Sequence, residues 1–478
     1  MSKTKNSFSK NVLTVLTGTT FAQALPIIAS PIITRLYTPE EFGEFGLFIA
    51  VLAVLSVIVC LRYDLAIALP NDDRKAVNVL ALSVTSAAIF SSVLLVLAFI
   101  INMTSIIPEI NPDLTTVIWI LPFAVLLTGI FQSLLNWSIR TEKFKVIATT
   151  QIHRSTTIVS GQISTGFFMN SSLTLMLSQL VGQLIAVISI LKSSLVDILK
   201  HKEHIKKKVM KEQLFKYKKF PVFNSWSSLL NAGSVQLPLF MLAFFFNPVI
   251  VGFYTLAHRV LAAPISIIGT AIAQPYLQKA TEKNRENKLG EFSLQIFKVL
   301  LSIGLVPIIL ISIIAPELFA TIFGATWSKA GVYVQLISIW LLFVFIVSPL
   351  SHIFTILELQ KESLNFNIVL FLSRIAVLTI GGLTGNDVIT IGLFGITGAI
   401  LYFLQLLWLL RKTGVKISLT VKSLWNEFLF GIPFIIILIV SKIFINTDLF
   451  IFVITLIILF LFVLIRFKKF YLNLLKTK

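Results

Sequence analysis

The segment AGVYVQLISIWLLFVFIVSPL, residues 330–350, decides the fold because none of its residues is charged. A helix of about 20 mostly apolar residues crosses the hydrocarbon core of a bilayer. The 478-residue chain contains fourteen such stretches. They predict transmembrane helices at roughly 11–34, 43–69, 77–101, 113–138, 146–168, 172–192, 222–245, 250–273, 292–317, 328–353, 363–381, 388–410, 425–444 and 448–465.

The overall composition supports the same interpretation. Hydrophobic residues make up 56% of the chain and charged residues 13%, whereas about a quarter of a soluble domain is charged. This excludes an ordinary water-soluble enzyme and a disordered chain. The single cysteine, Cys60, permits no intrachain disulfide and no cysteine-based metal cluster. We expect no metal and no cofactor.

Positive charge predicts the orientation of the helices. With the N-terminus inside, 32 of the 40 Lys and Arg residues fall in inside segments, and only Arg35, Lys329 and Lys442 fall outside. Cytoplasmic segments of membrane proteins collect Lys and Arg, so both termini are predicted to be cytoplasmic. The net charge of +19 therefore indicates membrane lipids as partners, and no nucleic acid. The basic segment 200–220 either lies on anionic lipid headgroups or is a solvated linker.

An internal repeat divides the first twelve helices into two sets of six. Pro39 and Gly43 in the first set correspond to Pro248 and Gly252 in the second. Since six is an even number, both sets have the same orientation, and a parallel repeat of this kind implies two lobes around a central cavity with alternating access. The predicted divisions are an N-terminal six-helix lobe at 1–195, a basic cytoplasmic loop at 196–221, a C-terminal six-helix lobe at 222–415, and two extra helices with a basic tail at 416–478.

Arginine dominates the ionisable residues that fall inside or beside the predicted helices. Such residues usually face the bundle interior and indicate function, and a guanidinium binds phosphate or carboxylate oxygens with two parallel hydrogen bonds. A cationic cavity for an anionic substrate is therefore predicted. Two alternatives stay open: arginines can pair across the bundle, and those near an interface can extend to the headgroups. The candidate substrate-binding residues are Arg62, Arg259, Arg374, Arg154 and Arg35.

Few other residues are candidates for a role in transport. Asp64, Glu358 and His258 are candidates for ion coupling or gating, although His258 is equally suited to being a hydrogen-bonded interior group. The sequence contains no phosphate-binding glycine-rich loop, no HExxH motif and no GxSxG motif. We therefore expect neither an enzyme nor a transporter that uses ATP directly.

Three motifs carry a resemblance to a known family. They are RLYTPEEFGEFG at 35–46, LRYDLAIALP at 61–70 and VGFYTLAHRVLAAPI at 251–265. Together with the helix number and the long middle loop, they resemble the Wzx-type O-antigen and polysaccharide flippases. These form the polysaccharide transporter branch of the multidrug/oligosaccharidyl-lipid/polysaccharide exporter (MOP) superfamily.

The resemblance implies an all-α protein of the bacterial inner membrane, with two six-helix lobes and two C-terminal helices. Its implied substrate is an undecaprenyl-diphosphate-linked oligosaccharide repeat unit for O-antigen, capsule or a related polysaccharide of the cell surface. Other polysaccharide-assembly membrane proteins are implied partners. The cationic residues of the family correspond to Arg62 and Arg259, with Arg35 in the first motif.

Three other classes of protein compete with this interpretation. A MATE-like exporter of small molecules usually handles cations and needs acidic residues, whereas the candidate residues of these spans are mostly arginines. A membrane polymerase or ligase carries a large outside loop, and the predicted outside loops are short. A purely structural scaffold has no need of arginines inside the bilayer.

Overall fold

The computed structural model describes residues 17–103, 112–444 and 448–476. Residues 11–16 of the first predicted span and the basic N-terminal segment lie outside this range. The described part of the chain is helical throughout and contains no strand. The chain divides into two compact units, unit 1 (Met1–Ala243) and unit 2 (Phe244–Lys478).

The helices of each unit follow one another in chain order. The helices before the unit boundary are α1 (residues 17–28), α2 (Ser30–Leu36), α3 (Pro39–Ile58), α4 (Tyr63–Ala66), α5 (Asp73–Met103), α6 (Pro112–Arg140), α7 (Phe144–Phe168), α8 (Ser172–Lys200), α9 (Lys207–Lys216) and α10 (Ser225–Phe245), which ends just past it. Unit 2 continues with α11 (Pro248–Arg285), α12 (Leu289–Ile313), α13 (Ala315–Phe323), α14 (Ser328–Leu350), α15 (Ile353–Ile356), α16 (Gln360–Leu383), α17 (Asp387–Lys412), α18 (Ile417–Phe444) and α19 (Asp448–Lys476).

The all-α membrane fold is confirmed, and the count of fourteen spans is approximate. Eleven helices of the described residues are long and apolar enough to cross a membrane. The other three predicted spans also fall on helices. The first coincides with α1 and α2, which a turn at Ala29 separates; the fifth coincides with α7, which is richer in polar residues; and the last coincides with the shorter apolar segment Phe450–Arg466 of α19.

The second predicted span, 43–69, is not one continuous helix. α3 begins at Pro39 and ends at Ile58, and the short α4 begins at Tyr63. Leu61 and Arg62 between them have φ angles of 48° and 61°. These left-handed values cannot continue a right-handed helix, so the chain turns within the apolar stretch.

The first family motif forms a helix start that is fixed at several points. Thr38 caps α3 and exchanges hydrogen bonds with Glu41 in a capping box, and Pro39 occupies the first turn. The buried Tyr37 hydroxyl donates to the Gln162 carbonyl at 2.8 Å and lies 3.1 Å from the hydroxyls of Thr165 and Thr174. Tyr37 thereby connects the start of α3 to α7 and α8.

The long basic segment between α8 and α10 is folded against unit 1. Asn78 of α5 donates to the His204 carbonyl at 2.8 Å and accepts from the Lys206 backbone N–H at 3.0 Å. The Tyr63 hydroxyl donates to the Leu214 carbonyl of α9 at 3.3 Å. These contacts fix the segment on α4 and α5, although most of its residues are exposed. A solvated linker and contact with lipid headgroups both stay predictions.

Helices in the two units pair in the same pattern. In the first set, α5 packs on α6, α6 on α8, α7 on α8, and α3 on α6. In the second set, the corresponding pairs α12 with α14, α14 with α17, α16 with α17, and α11 with α14 are also in contact. Pro39 and Pro248 each stand in the first turn of a side-chain-capped helix. The weak sequence repeat thus corresponds to a repeated arrangement of helices.

The last two helices pack on each other and on the rest of unit 2 through an apolar cluster and two ion pairs. Lys442 of α18 pairs with Glu317 of α13 at 2.8 Å, and Arg466 of α19 pairs with Glu427 of α18. The Arg466 guanidinium also lies 4.2 Å from the ring centre of Phe430. The cluster consists of Val306, Leu310, Ile314, Leu438, Ile451, Ile458 and Phe462.

We predict that Tyr37→Phe destabilises the protein by about 1–3 kcal/mol, because a buried cluster of polar groups loses its central hydroxyl. Thermal unfolding of the purified protein in detergent measures the effect. Tyr217→Phe is the matched control, because Tyr217 is also buried and its hydroxyl has no hydrogen bond within the described residues. Equal unfolding temperatures for the two variants would contradict the assignment of Tyr37 as a fixed point.

Candidate functional site

Arg62 stands at the break between α3 and α4 in a strained backbone conformation. Its φ of 61° costs a non-glycine residue roughly 1–2 kcal/mol. Its Nε atom is buried and has no hydrogen-bond partner among the described residues. Strained backbone at a special position is characteristic of functional sites, so the conformation of Arg62 supports its selection as a candidate.

Asp64 lies next to Arg62 and is almost fully buried. Its exposed fraction is 3%, and the Asn136 side-chain amide donates to its carboxylate at 3.5 Å. Arg62 interacts with it electrostatically, although in the described part of the chain the two form no contact ion pair. The break therefore holds an arginine and a carboxylate close together without neutralising them in a direct pair.

Arg154 contacts α6, the helix that also carries Asn136, the partner of Asp64. Its guanidinium lies 5.7 Å from the ring centre of Phe131, a favourable arrangement of a cation over an aromatic face. Its Nε is buried without a hydrogen-bond partner within the described residues. Phe131 and Asn136 are five residues apart, or about 7.5 Å along the helix axis. Within unit 1, α6 thus lies beside both Arg154 and the Asp64 carboxylate.

Unit 2 contains a cluster of aromatic rings around two predicted residues. The rings of Tyr254 and His258, one turn apart on α11, stack at 5.8 Å. Trp340 of α14 lies 6.2 Å from the His258 ring and 4.7 Å from the Phe394 ring of α17. The Arg374 guanidinium of α16 lies 5.9 Å from the centre of the Trp340 ring. Four helices therefore meet at this cluster.

Charge and an unused donor accompany the cluster. Arg374 interacts electrostatically with both Tyr254 and His258. Trp340 has a buried indole N–H that finds no acceptor in the described parts of the chain. Trp340 is seated closely against α17, because a Cβ atom on Gly398 would lie 2.6 Å from its ring. The structure thus brings His258 and Arg374 together, and half-buried Arg259 follows His258 on α11.

Two other predicted residues lie at exposed positions. Arg35 is exposed in the last turn of α2. Glu358 is exposed between α15 and α16 and has a φ of 57°. The structure does not bring Glu358 into the aromatic cluster, and its role in ion coupling stays a prediction.

Each unit contains a cavity of about 440 Å³. The cavity in unit 1 is acidic, because Glu40, Glu41 and Glu44 line it together with Ser171. The cavity in unit 2 lies between α14, α15, α16 and α17 and is lined by polar and apolar groups, with no carboxylate, lysine or arginine among them. Neither cavity is lined by the predicted arginines.

Sequence reasoning missed several charged and aromatic contacts. Arg140, counted only as a cytoplasmic charge, donates to the Pro70 carbonyl at 2.6 Å and pairs with Asp73 at 2.8 Å. Glu427 was visible as an acid within the thirteenth predicted span, and it pairs with Arg466. Trp340, within segment 330–350, was the one sequence feature that could have indicated the aromatic cluster.

Solved structures with the same fold are membrane transporters. The lipid II flippase MurJ in its inward closed conformation gives a TM-score of 0.74 at 14% identity, covering 96% of this chain and 99% of that chain. An inward-facing multidrug resistance MATE family transporter of the MOP superfamily gives a TM-score of 0.64 at 16% identity, covering 83% of this chain and 95% of that chain. A MOP superfamily transporter from Pyrococcus furiosus gives a TM-score of 0.53 at 14% identity, covering 85% of this chain and 96% of that chain. The fold is therefore that of the MOP superfamily transporters.

The sequence places the chain within a family. The model of the family described as polysaccharide biosynthesis protein matches residues 32–332, a range that contains all three motifs quoted above. The chain belongs to this family, which confirms the resemblance stated from the motifs. Among curated protein sequences, none matches this chain. The fold is one that a lipid II flippase and multidrug transporters share.

We predict that Arg62→Gly is more stable than Arg62→Ala by about 1 kcal/mol, because both remove the guanidinium but only glycine adopts the left-handed backbone without strain. Thermal unfolding of the two purified variants measures the difference. Lys361, exposed on the regular helix α16, provides the control, because alanine should be more stable than glycine there. If the alanine variant is more stable than the glycine variant at position 62 as well as at position 361, the backbone of Arg62 is not strained.

Proposed function

We propose that this protein is a flippase that moves undecaprenyl-diphosphate-linked oligosaccharide repeat units across the bacterial inner membrane for O-antigen, capsule or related polysaccharide synthesis. The observation that carries the proposal is the presence of four arginines, Arg62, Arg154, Arg259 and Arg374, inside the predicted spans of a chain from the polysaccharide biosynthesis protein family. The MurJ-like fold supports it. The protein has cytoplasmic termini in this proposal, and it works beside other membrane proteins of polysaccharide assembly.

The arginines are suited to a diphosphate head group. An oligosaccharide cannot cross about 30 Å of hydrocarbon unaided, whereas its isoprenoid tail is soluble there. A guanidinium holds phosphate oxygens through two directed hydrogen bonds. We assign this role to Arg62 and Arg154 in unit 1 and to Arg259 and Arg374 in unit 2, with Arg35 at an exposed helix end. Transport then proceeds by alternating access, and Asp64, His258 and Glu358 are the candidates for coupling or gating.

A MATE-like ion-coupled exporter of small molecules is the second candidate. The acidic cavity of unit 1 favours it, because a cationic drug needs carboxylates. However, Glu41, one of the three carboxylates there, already serves as the acceptor in the capping box of α3. The cavity therefore supports this candidate only weakly.

Depletion of the protein in its native cell distinguishes the two candidates. We predict that lipid-linked single repeat units accumulate and that surface polysaccharide disappears, because the flipping step precedes polymerisation. Mass spectrometry of extracted lipid-linked sugars measures the first effect. Unchanged lipid-linked sugars with increased drug sensitivity would contradict the flippase and support the exporter.

Arginine variants test the assignment of the substrate-binding residues. We predict that Arg62→Ala and Arg259→Ala each lower surface polysaccharide at least tenfold in a complementation assay, while membrane protein levels stay normal. The lysine variants should restore only part of this loss, because an ammonium cannot form the two parallel bonds of a guanidinium. Arg411→Ala, at an exposed position in the last turn of α17, is the matched control. Full activity of both alanine variants would remove these residues from the site.

A further inference from the structure

The cavity of unit 2 has a lining that selects for uncharged polar ligands. Its volume of about 440 Å³ falls in the range of small-molecule sites. No carboxylate, lysine or arginine is among its lining residues. The polar groups that line it include Ser348, His352, Thr355, Asn367, Tyr402 and Gln405. Amide and hydroxyl groups each provide both a donor and an acceptor.

Gln405 supplies an unused polar group in this cavity. The residue is 8% exposed, and its side-chain Oε1 is buried with no hydrogen-bond partner in the part of the chain that the structure describes. Leaving such a group unpaired costs roughly 1–3 kcal/mol. Gln405 is among the lining residues of the cavity, so its side-chain amide can turn toward a ligand hydroxyl there and lose that cost.

The apolar part of the lining complements the polar groups. Phe354 contributes to the cavity and stacks on Trp408 with ring centres 5.7 Å apart. Val347 and Leu370 line it as well. By contrast, Ser348, Thr355 and Asn367 have exposed side chains. The cavity thus combines an aromatic and aliphatic surface with exposed hydrogen-bonding groups, a combination that fits the C–H faces and the hydroxyl groups of a sugar.

The position of the cavity suits an early step of transport. Gln405 lies seven residues before the end of α17 at Lys412, or about 10 Å along the helix axis. His352 and Thr355 belong to the turn and short helix that follow α14. The proposed orientation places this end of the helices at the cytoplasmic side, where the head group of the substrate is made.

We propose that this cavity binds an uncharged, hydroxyl-rich sugar residue of the transported head group. The proposal rests on the proposed function and adds to it a division of labour. The arginines bind the diphosphate, and the cavity of unit 2 binds a sugar residue of the glycan through Gln405 and its neighbours. Phosphate fits this cavity less well than a sugar does, because no lysine or arginine lines it.

The test is a binding measurement on the full chain in lipid nanodiscs. The probe is the oligosaccharide released by mild acid from the lipid-linked sugar fraction of the native cell, with inorganic diphosphate and glucose as separate arms. Gln405→Met keeps the size of the side chain and removes the unpaired amide, so it should fold normally. We expect it to weaken oligosaccharide binding at least tenfold and to leave diphosphate binding unchanged.

Two further variants keep the measurement decisive. Asn367→Ala, at an exposed position of the lining, should also weaken oligosaccharide binding, and it provides the test if the Gln405 variant fails to fold. Gln278→Leu, exposed on α11 and outside the cavity, is the matched control and should bind as the wild type does.

Several outcomes would overturn the proposal. These are no binding of the oligosaccharide by the wild type, unchanged binding by both cavity variants, or equal affinity for glucose, which would assign the cavity to free sugars. Accumulation of lipid-linked units on depletion, without oligosaccharide binding, would overturn the sugar site alone. Sugar binding that depends on Gln405, without accumulation, would overturn the proposed function instead.

Discussion

A guanidinium group inside hydrocarbon must find a carboxylate, a carbonyl, an aromatic face or a ligand, and this constraint organises the charged positions of the structure. Arg140 and Arg466, which lie just outside the predicted spans, find such partners within the fold. Arg140 binds the Pro70 carbonyl and Asp73, and Arg466 pairs with Glu427 beside Phe430. Such arginines stabilise helix packing and need no substrate.

Arg62 and Arg154 meet the same constraint incompletely. Each retains a buried Nε without a hydrogen-bond partner in the described residues, and Arg62 also has a strained backbone. An unpaired donor and a left-handed residue thus destabilise the apolar stretch 43–69 at the same position. Arg466 also has an unpaired Nε, but it pairs with Glu427, whereas Arg62 and Arg154 form no ion pair within the described residues. An anionic substrate would supply such a partner, and we therefore propose these two arginines for substrate binding.

Hydropathy and charge predicted the helices well because both depend on local composition. Within the described residues, twelve of the fourteen predicted spans each fall mainly on one helix and the first two each cover a pair of helices, and the arginines of α11 and α16 were visible as charges in apolar sequence. The break at Leu61 and Arg62 was not predictable in this way, because hydropathy carries no information on φ. The folding of segment 200–220 depends on Asn78, more than a hundred residues away in the sequence, and single-sequence patterns do not encode such contacts.

The candidate site shows the same division between local and tertiary information. His258 and Arg374 were chosen separately from their positions in spans, and only the packing of α11, α14 and α16 around Trp340 joined them. Likewise, Gln405 looks like an ordinary polar residue in its helix. Its significance arises from the cavity that α14, α15, α16 and α17 form around it.

Reconstituted transport tests the central claim most directly. Purified protein is placed in vesicles that carry the lipid-linked oligosaccharide of the native cell, and a membrane-impermeant enzyme then cleaves the head groups on the outer leaflet. If the protein is a flippase, the cleaved fraction will rise from about half to nearly all of the substrate, and it will stay at half with Arg62→Ala. A cleaved fraction that stays at half with the wild-type protein would contradict the account.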